Sequence, residues 1–230
     1  MNASIDPQNV VEFDEHVGRY NEMHSAVLTL SGEDPEYFAR NKFEVLKDII
    51  RSDEKPILDY GCGIGNLTLL LAEAHAEAHG YDPSSRSVVV ARERVPSVTF
   101  YDDLDEVPRG IFGTVVLANV LHHVPPPQRA EVINGIVPLL AAGGRVVVFE
   151  HNRWNPLTVR AVRRCEFDKG VSLLSKPEIT ALLGGCGLER PDSRFIVFFP
   201  RVLRHLRRFE PRLGSVPMGA QVCVWAHNRG

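Results

Sequence analysis

A chain of 230 residues with 44% hydrophobic and 24% charged residues has the make-up of an ordinary globular domain. A formal net charge of −3 gives no basic face for a nucleic-acid duplex, so no nucleic-acid partner is expected. No run nears the roughly 18 apolar residues of a membrane span, and the acidic, polar N-terminus is unlike a signal peptide. The four cysteines (Cys62, Cys165, Cys186, Cys223) are scattered without a C-x-x-C pair, so reduced thiols, no metal site and a cytoplasmic setting are expected.

Residues 1–11 are polar. A helical pattern over 13–28 follows, with Phe13, Val17, Tyr20 and His24 about one turn apart. Ser31-Gly32-Glu33-Asp34-Pro35 breaks it, and a second helix over 36–51 sets Phe38, Phe43, Leu46 and Ile50 on one side. These helices form a preface that either packs on the following sheet or closes over a ligand, with Tyr20 and His16 as lid candidates.

Residues 57–71 read I-L-D-Y-G-C-G-I-G-N-L-T-L-L-L. A short apolar strand passes through Asp59 into Gly61, Gly63 and Gly65 and then into an apolar helix over 67–74. Strand, glycine loop and helix make the opening unit of a nucleotide-binding α/β domain, where backbone approaches a ligand and a helix N-terminus presents free N–H groups. The loop carries an acid and no lysine or arginine, which suits a cationic ligand better than a phosphate. A second strand ends at Asp82-Pro83, at about the 20-residue offset where such folds place a carboxylate for ribose hydroxyls.

Ser84 opens a helix to Arg94, and a strand over 98–101 leads to Asp102-Asp103. The fourth strand, 114–118, is almost wholly apolar, as a buried parallel strand should be. It ends in Asn119-Val120-Leu121-His122-His123. A helix over 128–140 is expected to stop at Gly143-Gly144 before a fifth strand, 145–150, that ends in Glu150. This alternation predicts a parallel sheet with right-handed crossovers and loops gathered at its carboxyl edge.

Beyond residue 150 the pattern changes. Residues 151–176 are polar and carry Arg153, Arg160, Arg163 and Arg164, with a helix over 157–165. A helix over 176–183 has Ser175 as N-cap and Gly184-Gly185 as its stop. A sixth strand (194–199), a basic amphipathic stretch (201–209) and a seventh strand (221–226) complete the chain, and the last strand is expected to insert antiparallel.

D-x-G-C-G-x-G at 59–65, Tyr81-Asp82, L-H-H at 121–123 and G-G-x-V-V-V at 143–148 together resemble class I S-adenosylmethionine-dependent methyltransferases. The resemblance covers roughly residues 55–150. It implies a Rossmann-like, seven-stranded, mostly parallel sheet with an antiparallel last strand, helices on both faces and the helical preface in front. One domain is expected: preface 1–52, cofactor core 53–150, acceptor-pocket insertions 151–217 and last strand 218–230.

The implied cofactor is S-adenosylmethionine, leaving as S-adenosylhomocysteine. By resemblance, Asp59, Gly61 and Gly63 line its methionine moiety and Asp82 meets its ribose, with Cys62 and Pro83 beside them as cofactor-binding residues. Asp102 or Asp103 flanks adenine, Asn119 offers its carbonyl to the amine, and Tyr20 of the preface joins the site. His123 is the first candidate for general base and His122 the second, with Glu150 and His151 comparable. The acceptor is expected to be a small biosynthetic metabolite methylated on oxygen or nitrogen, sugar- and lipid-linked ones included. The four arginines either read an acidic group on it or form a solvated helix face, and 201–209 would suit weak contact with a membrane surface. Two alternatives stand beside this: a macromolecule methyltransferase, or a cofactor-binding relative that transfers no methyl group. The motifs name neither the acceptor nor an oligomeric state.

Overall fold

The structure, a computed structural model, describes residues 32–50, 56–74, 77–165 and 168–229. The helix expected over 13–28, with Tyr20 and His16, lies outside them.

The second preface helix is present as α1, Pro35–Ile49. Asp34 caps it by accepting the Tyr37 N–H at 2.7 Å, and Pro35 sits in the first turn, where its missing N–H costs nothing. Ile50 is extended and ends the helix. Ala39, Leu46 and Ile49 form its buried stripe, and the Ile49 carbonyl accepts from the Arg145 guanidinium.

Seven strands form one sheet: β1 (Ile57–Tyr60), β2 (Ala78–Tyr81), β3 (Thr99–Tyr101), β4 (Phe112–Ala118), β5 (Leu140–His151), β6 (Glu189–Ile196) and β7 (Gln221–His227). Their order is β3-β2-β1-β4-β5-β7-β6. Strands β1 to β5 pair in parallel, and β7 runs antiparallel between β5 and β6. The expected architecture is therefore the one observed.

Alternate side chains of the central strands serve two layers. Leu58, Val115, Leu117, Val146 and Val148 face α4 (Arg129–Ile136) and α6 (Lys176–Gly185). Ile57, Val116, Val147 and Phe149 face α1 and α2 (Asn66–Ala74). A smaller cluster joins Cys62 and Phe100 to Val88 and Ala91 of α3 (Ser85–Arg94). Parallel pairing puts the loops after β1, β2 and β4 at one carboxyl edge.

Several boundaries differ from expectation, each for a local reason. Helix α4 stops at Ile136 and tightens into a 3₁₀ turn over Val137–Leu139, because Pro138 cannot donate. Gly143 and Gly144 do not end that helix. They lie in an irregularity of β5, where register shifts between Phe112 and Thr114 and a Cβ on Gly144 would lie 2.8 Å from the Phe112 carbonyl. Gly184 and Gly185 are inside α6, which has a full capping box from Ser175 and Glu178, and the chain turns at Gly187 with φ 83. The sixth strand runs earlier than expected and ends before Val197, whose φ is 60.

The 201–209 stretch is a kinked 3₁₀ segment, Arg201–Arg212. Val202 is 83% exposed on it. Arg207 turns inward, stacking on the Tyr37 ring at 4.3 Å and pairing with Glu33, so the segment is tied to the start of α1. No helix among the described residues is long and apolar enough to cross a membrane.

Candidate functional site

The glycine loop folds as its residues require. Gly61 has φ 77, and a Cβ there would lie 2.5 Å from Val120 Cγ2, so only glycine lets the β1 and β4 loops approach each other. The Gly61 and Cys62 N–H groups donate to the Tyr81 carbonyl at 2.7 and 3.0 Å, and the Gly63 N–H donates to Asp82 Oδ2 at 2.8 Å. Asp82 also accepts the Ser84 N–H at 2.9 Å. The carboxylate expected at a ribose therefore also holds the glycine loop in shape.

Beside this loop opens a cavity of ≈ 310 Å³, within the range of small-molecule sites. Gly61, Cys62, Gly63 and Asn119 line it, as does Asp59 from the end of β1. Its apolar wall comes from Phe38 of α1, Leu157 and Val162 of α5 (Pro156–Val162), and Val197, Phe198 and Phe199 after β6. Its polar lining adds Lys42, His151, Asp168 and Gln221. Asn119 and Val197 hold positive φ (61 and 60) without being glycine, a strain that clusters at binding sites.

Asp59 is 1% exposed, and its Oδ2 accepts the Thr68 hydroxyl at 2.7 Å. Its Oδ1 is buried and unpartnered among the described residues, as is Gln221 Oε1. Burial raises the Asp59 pKa to about 6, against the Thr68 hydrogen bond. Lys42 is 5% exposed and makes no hydrogen bond or ion pair among the described residues. Burial lowers it to about 8, with Glu150 and Asp59 opposing. One end of the cavity thus holds a buried cation and buried acceptors that lack partners, a donor set fitted to a zwitterionic ligand.

The other sequence-expected residues are distributed unequally. Cys62 is buried and its thiol pKa is pushed well up by burial. Asp82, Pro83 and Asp102 are half-buried near the ends of β2 and β3, outside the cavity lining, and Asp103 is exposed there. Asp103 caps a 3₁₀ turn by accepting the Asp105 N–H at 2.9 Å, whereas the Asp102 carboxylate takes no hydrogen bond among the described residues.

His122 is 2% exposed and Glu150 is sealed. Glu150 accepts the Leu121 N–H at 2.7 Å through Oε1 and meets His122 Nδ1 at 2.6 Å through Oε2. Neither lines the cavity, nor does His123; from this cluster His151 and Asp168 do. Burial works against charge on His122, but Glu150 and Asp168 outweigh it and raise the pKa to about 9. Burial and then the His122 charge lower His123 to about 3 and His151 to about 4. Burial would raise Asp168, yet the His122 contact and the neighbouring imidazoles hold it well below the usual carboxylate range.

Lys42, Asp168 and Gln221 escaped the sequence reading. Lys42 had a signal: it falls four residues after Phe38 and four before Leu46, on the stripe where an apolar side chain belongs. Asp168 and Gln221 had none. The four arginines (Arg153, Arg160, Arg163, Arg164) are exposed and none lines the cavity; Arg153 pairs with Glu178 at 2.9 Å.

Residues 57–144 match the family model described as "Methyltransferase domain". An "Uncharacterized methyltransferase" of Bacillus thuringiensis is 32% identical over 142 residues, covering 59% of this chain and 63% of that one. One of Anoxybacillus flavithermus is 31% identical over 123 residues, covering 50% and 57%. The chain spans about three fifths of the curated relatives it matches.

Among solved structures, a Thermotoga maritima "SAM-dependent methyltransferase, possible histamine N-methyltransferase" superposes with TM-score 0.69 at 17% identity, over 94% of this chain and 98% of that one. Magnesium protoporphyrin IX methyltransferase of Synechocystis PCC 6803, solved with bound SAM, gives 0.63 at 16% identity, over 99% and 100%. In sequence over 57–144 the chain resembles methyltransferase domains, and its fold resembles that of S-adenosylmethionine-dependent methyltransferases.

Proposed function

We propose that this chain is an S-adenosylmethionine-dependent methyltransferase that methylates an oxygen or nitrogen of a small molecule with a substantial apolar face. The observation that carries the reading is the pair of buried charges lining the cavity: Asp59 with a buried, unpartnered Oδ1, and Lys42. S-adenosylmethionine supplies an electrophilic methyl group on a sulfonium. Asp59 and the backbone near Asn119 hold the amine, Lys42 holds the carboxylate, and Gly61 and Gly63 let the loop come close. Asp82 and Asp102, outside the cavity at the ends of β2 and β3, serve the ribose and adenine.

Transfer to carbon-bound oxygen or nitrogen needs alignment and exclusion of water above all. Phe38, Leu157, Val162, Phe198 and Phe199 supply the dry wall that orients the acceptor. His151 is the histidine that lines the cavity, so it is placed to accept a hydrogen bond from the acceptor and take its proton. His122 and Glu150 position the loop instead. A cavity of ≈ 310 Å³ supports a small acceptor over a macromolecule.

The test is binding followed by transfer. S-adenosylhomocysteine should raise the melting temperature of the full chain, and Asp59→Asn should remove that rise. With a methyl-labelled cofactor and a small-molecule extract, mass spectrometry should find a labelled product. Binding without any labelled product would favour a domain that holds the cofactor but does not transfer; no melting shift at all would defeat the reading.

A further inference from the structure

Three ligand atoms at the edge of the cavity converge in a way that the methyl-transfer reading does not use. Among the described residues, His122, His123 and Asp168 bring one donor atom each to within 4.8 Å of one another. His122 Nε2 and His123 Nε2 lie 3.5 and 3.6 Å from the same oxygen, Asp168 Oδ1. Both separations are too long for the 2.7–2.9 Å of a charge-assisted hydrogen bond. They match the edge of a tetrahedron around an ion with ligand bonds of 2.0–2.2 Å, about 3.4 Å.

The tautomer of His122 is set from behind. Glu150 Oε1 accepts a backbone N–H, and Oε2 at 2.6 Å accepts from His122 Nδ1, so Nε2 is the nitrogen turned toward Asp168. A metal ion in place of the imidazolium proton would satisfy Nε2 and Asp168 Oδ1 together. A carboxylate behind a histidine is also the arrangement that orients imidazole ligands in metal sites.

The cluster is braced as well as convergent. The Ser172 N–H donates to the His122 carbonyl at 3.2 Å. Arg129 Nε donates to the Leu121 and Val124 carbonyls at 3.0 Å each, and its Nη2 reaches the Ser172 carbonyl at 2.5 Å. The turn after β4 and the segment after Asp168 are therefore stitched together, so the ligands are held before anything binds.

We propose that His122, His123 and Asp168 form a binding site for a divalent transition-metal ion of the zinc class, with Glu150 orienting His122. Two imidazoles and one carboxylate suit such an ion better than magnesium or calcium, which prefer oxygen. Asp168 and His151 line the cavity, so the remaining coordination position opens toward the acceptor's side of it. Metal retention does not rest on the methyl-transfer reading; only the placing of that open position beside an acceptor does, and the two can fail separately.

The full chain, stripped with chelator, loaded with zinc and gel-filtered, should retain about one zinc ion per chain by elemental mass spectrometry, and no magnesium under the same treatment. Asp168→Ala and His123→Ala should each retain far less while still melting cooperatively. Zinc retained equally by wild type and both variants would place it on the thiols and overturn the proposal, as would no retention by wild type. If the variants do not fold, cobalt(II) titration of the wild type decides: visible bands without a thiolate charge-transfer band support the site, and such a band, or no spectrum, refutes it.

Discussion

A carboxylate sealed at 1% exposure with one oxygen unpartnered is costly, and Asp59 bears that cost at the mouth of the glycine loop. Lys42, which lines the same cavity, is equally out of place in a hydrophobic stripe. The two titrations set a window for the proposed zwitterion. Asp59 must be ionised to hold the amine, so binding weakens as pH falls through about 6. Lys42 must be charged to hold the carboxylate, so binding weakens as pH rises through about 8. Calorimetric affinity for S-adenosylhomocysteine should therefore peak between those values, and Asp59→Asn should flatten the acid limb. At neutral pH that substitution replaces a buried charge-assisted hydrogen bond, worth about 1.5–3 kcal/mol, or roughly tenfold to hundredfold in affinity. The histidines divide similarly: His151→Ala should lower kcat by more than tenfold with little change in cofactor affinity, because it lines the cavity and is placed to take the acceptor's proton.

At the scale of elements, caps and turns connect packing to the cavity. Asn155 caps α5 by accepting the Leu157 and Thr158 N–H groups at 2.9 and 3.1 Å, and its Nδ2 donates to the Met218 carbonyl at 2.7 Å. One side chain therefore fixes a cavity-lining helix and the loop before β7. Ser175 caps α6 through the capping box with Glu178, on a helix that does not line the cavity. Asn155→Ala and Ser175→Ala should each cost about 1 kcal/mol in chemical denaturation. Only the first should also raise KM for the acceptor; an equal effect of both on turnover would break the link between α5 and the pocket. Periodicity predicted most of these helices and strands, but not their ends. Pro138 overrode the pattern in α4, and Gly184 and Gly185 stayed helical because the Ser175–Glu178 box and the packing of Ile179 and Leu183 hold the helix through them.

Across the whole molecule, stability and the proposed function pull apart at Lys42. A fall from 10.5 to about 8 corresponds to about 3 kcal/mol of unfavourable charge burial. Below about pH 8 the ammonium is charged in both folded and unfolded chains, so the full cost applies. Between about 8 and 10.5 the folded chain has released the proton while the unfolded chain keeps it, so the cost fades and stability rises with pH. Lys42→Met should thus melt higher than wild type at pH 7, with the gap closing toward pH 10.5, and should bind S-adenosylhomocysteine more weakly. A variant that melts lower at pH 7 would show that Asp59 and Glu150 stabilise the ammonium by more than burial costs it.

The sequence by itself determined the sheet's alternation, the glycine loop, the acids at 59 and 82, and the antiparallel last strand. Each is written in short-range form: an apolar run, a turn residue or a fixed spacing that acts within a few residues. Tertiary structure alone decided that Lys42 from the preface, His151 from β5, Asp168 from the turn after α5 and Gln221 from β7 meet around one cavity. It also turned Asp82 toward the Gly63 N–H, locked His122 against Glu150 and left the four arginines outside. Periodicity records which face of an element is buried. Which buried polar groups then meet depends on strand order and register, and the sheet order β1-β4-β5-β7 brings those distant residues to one carboxyl edge.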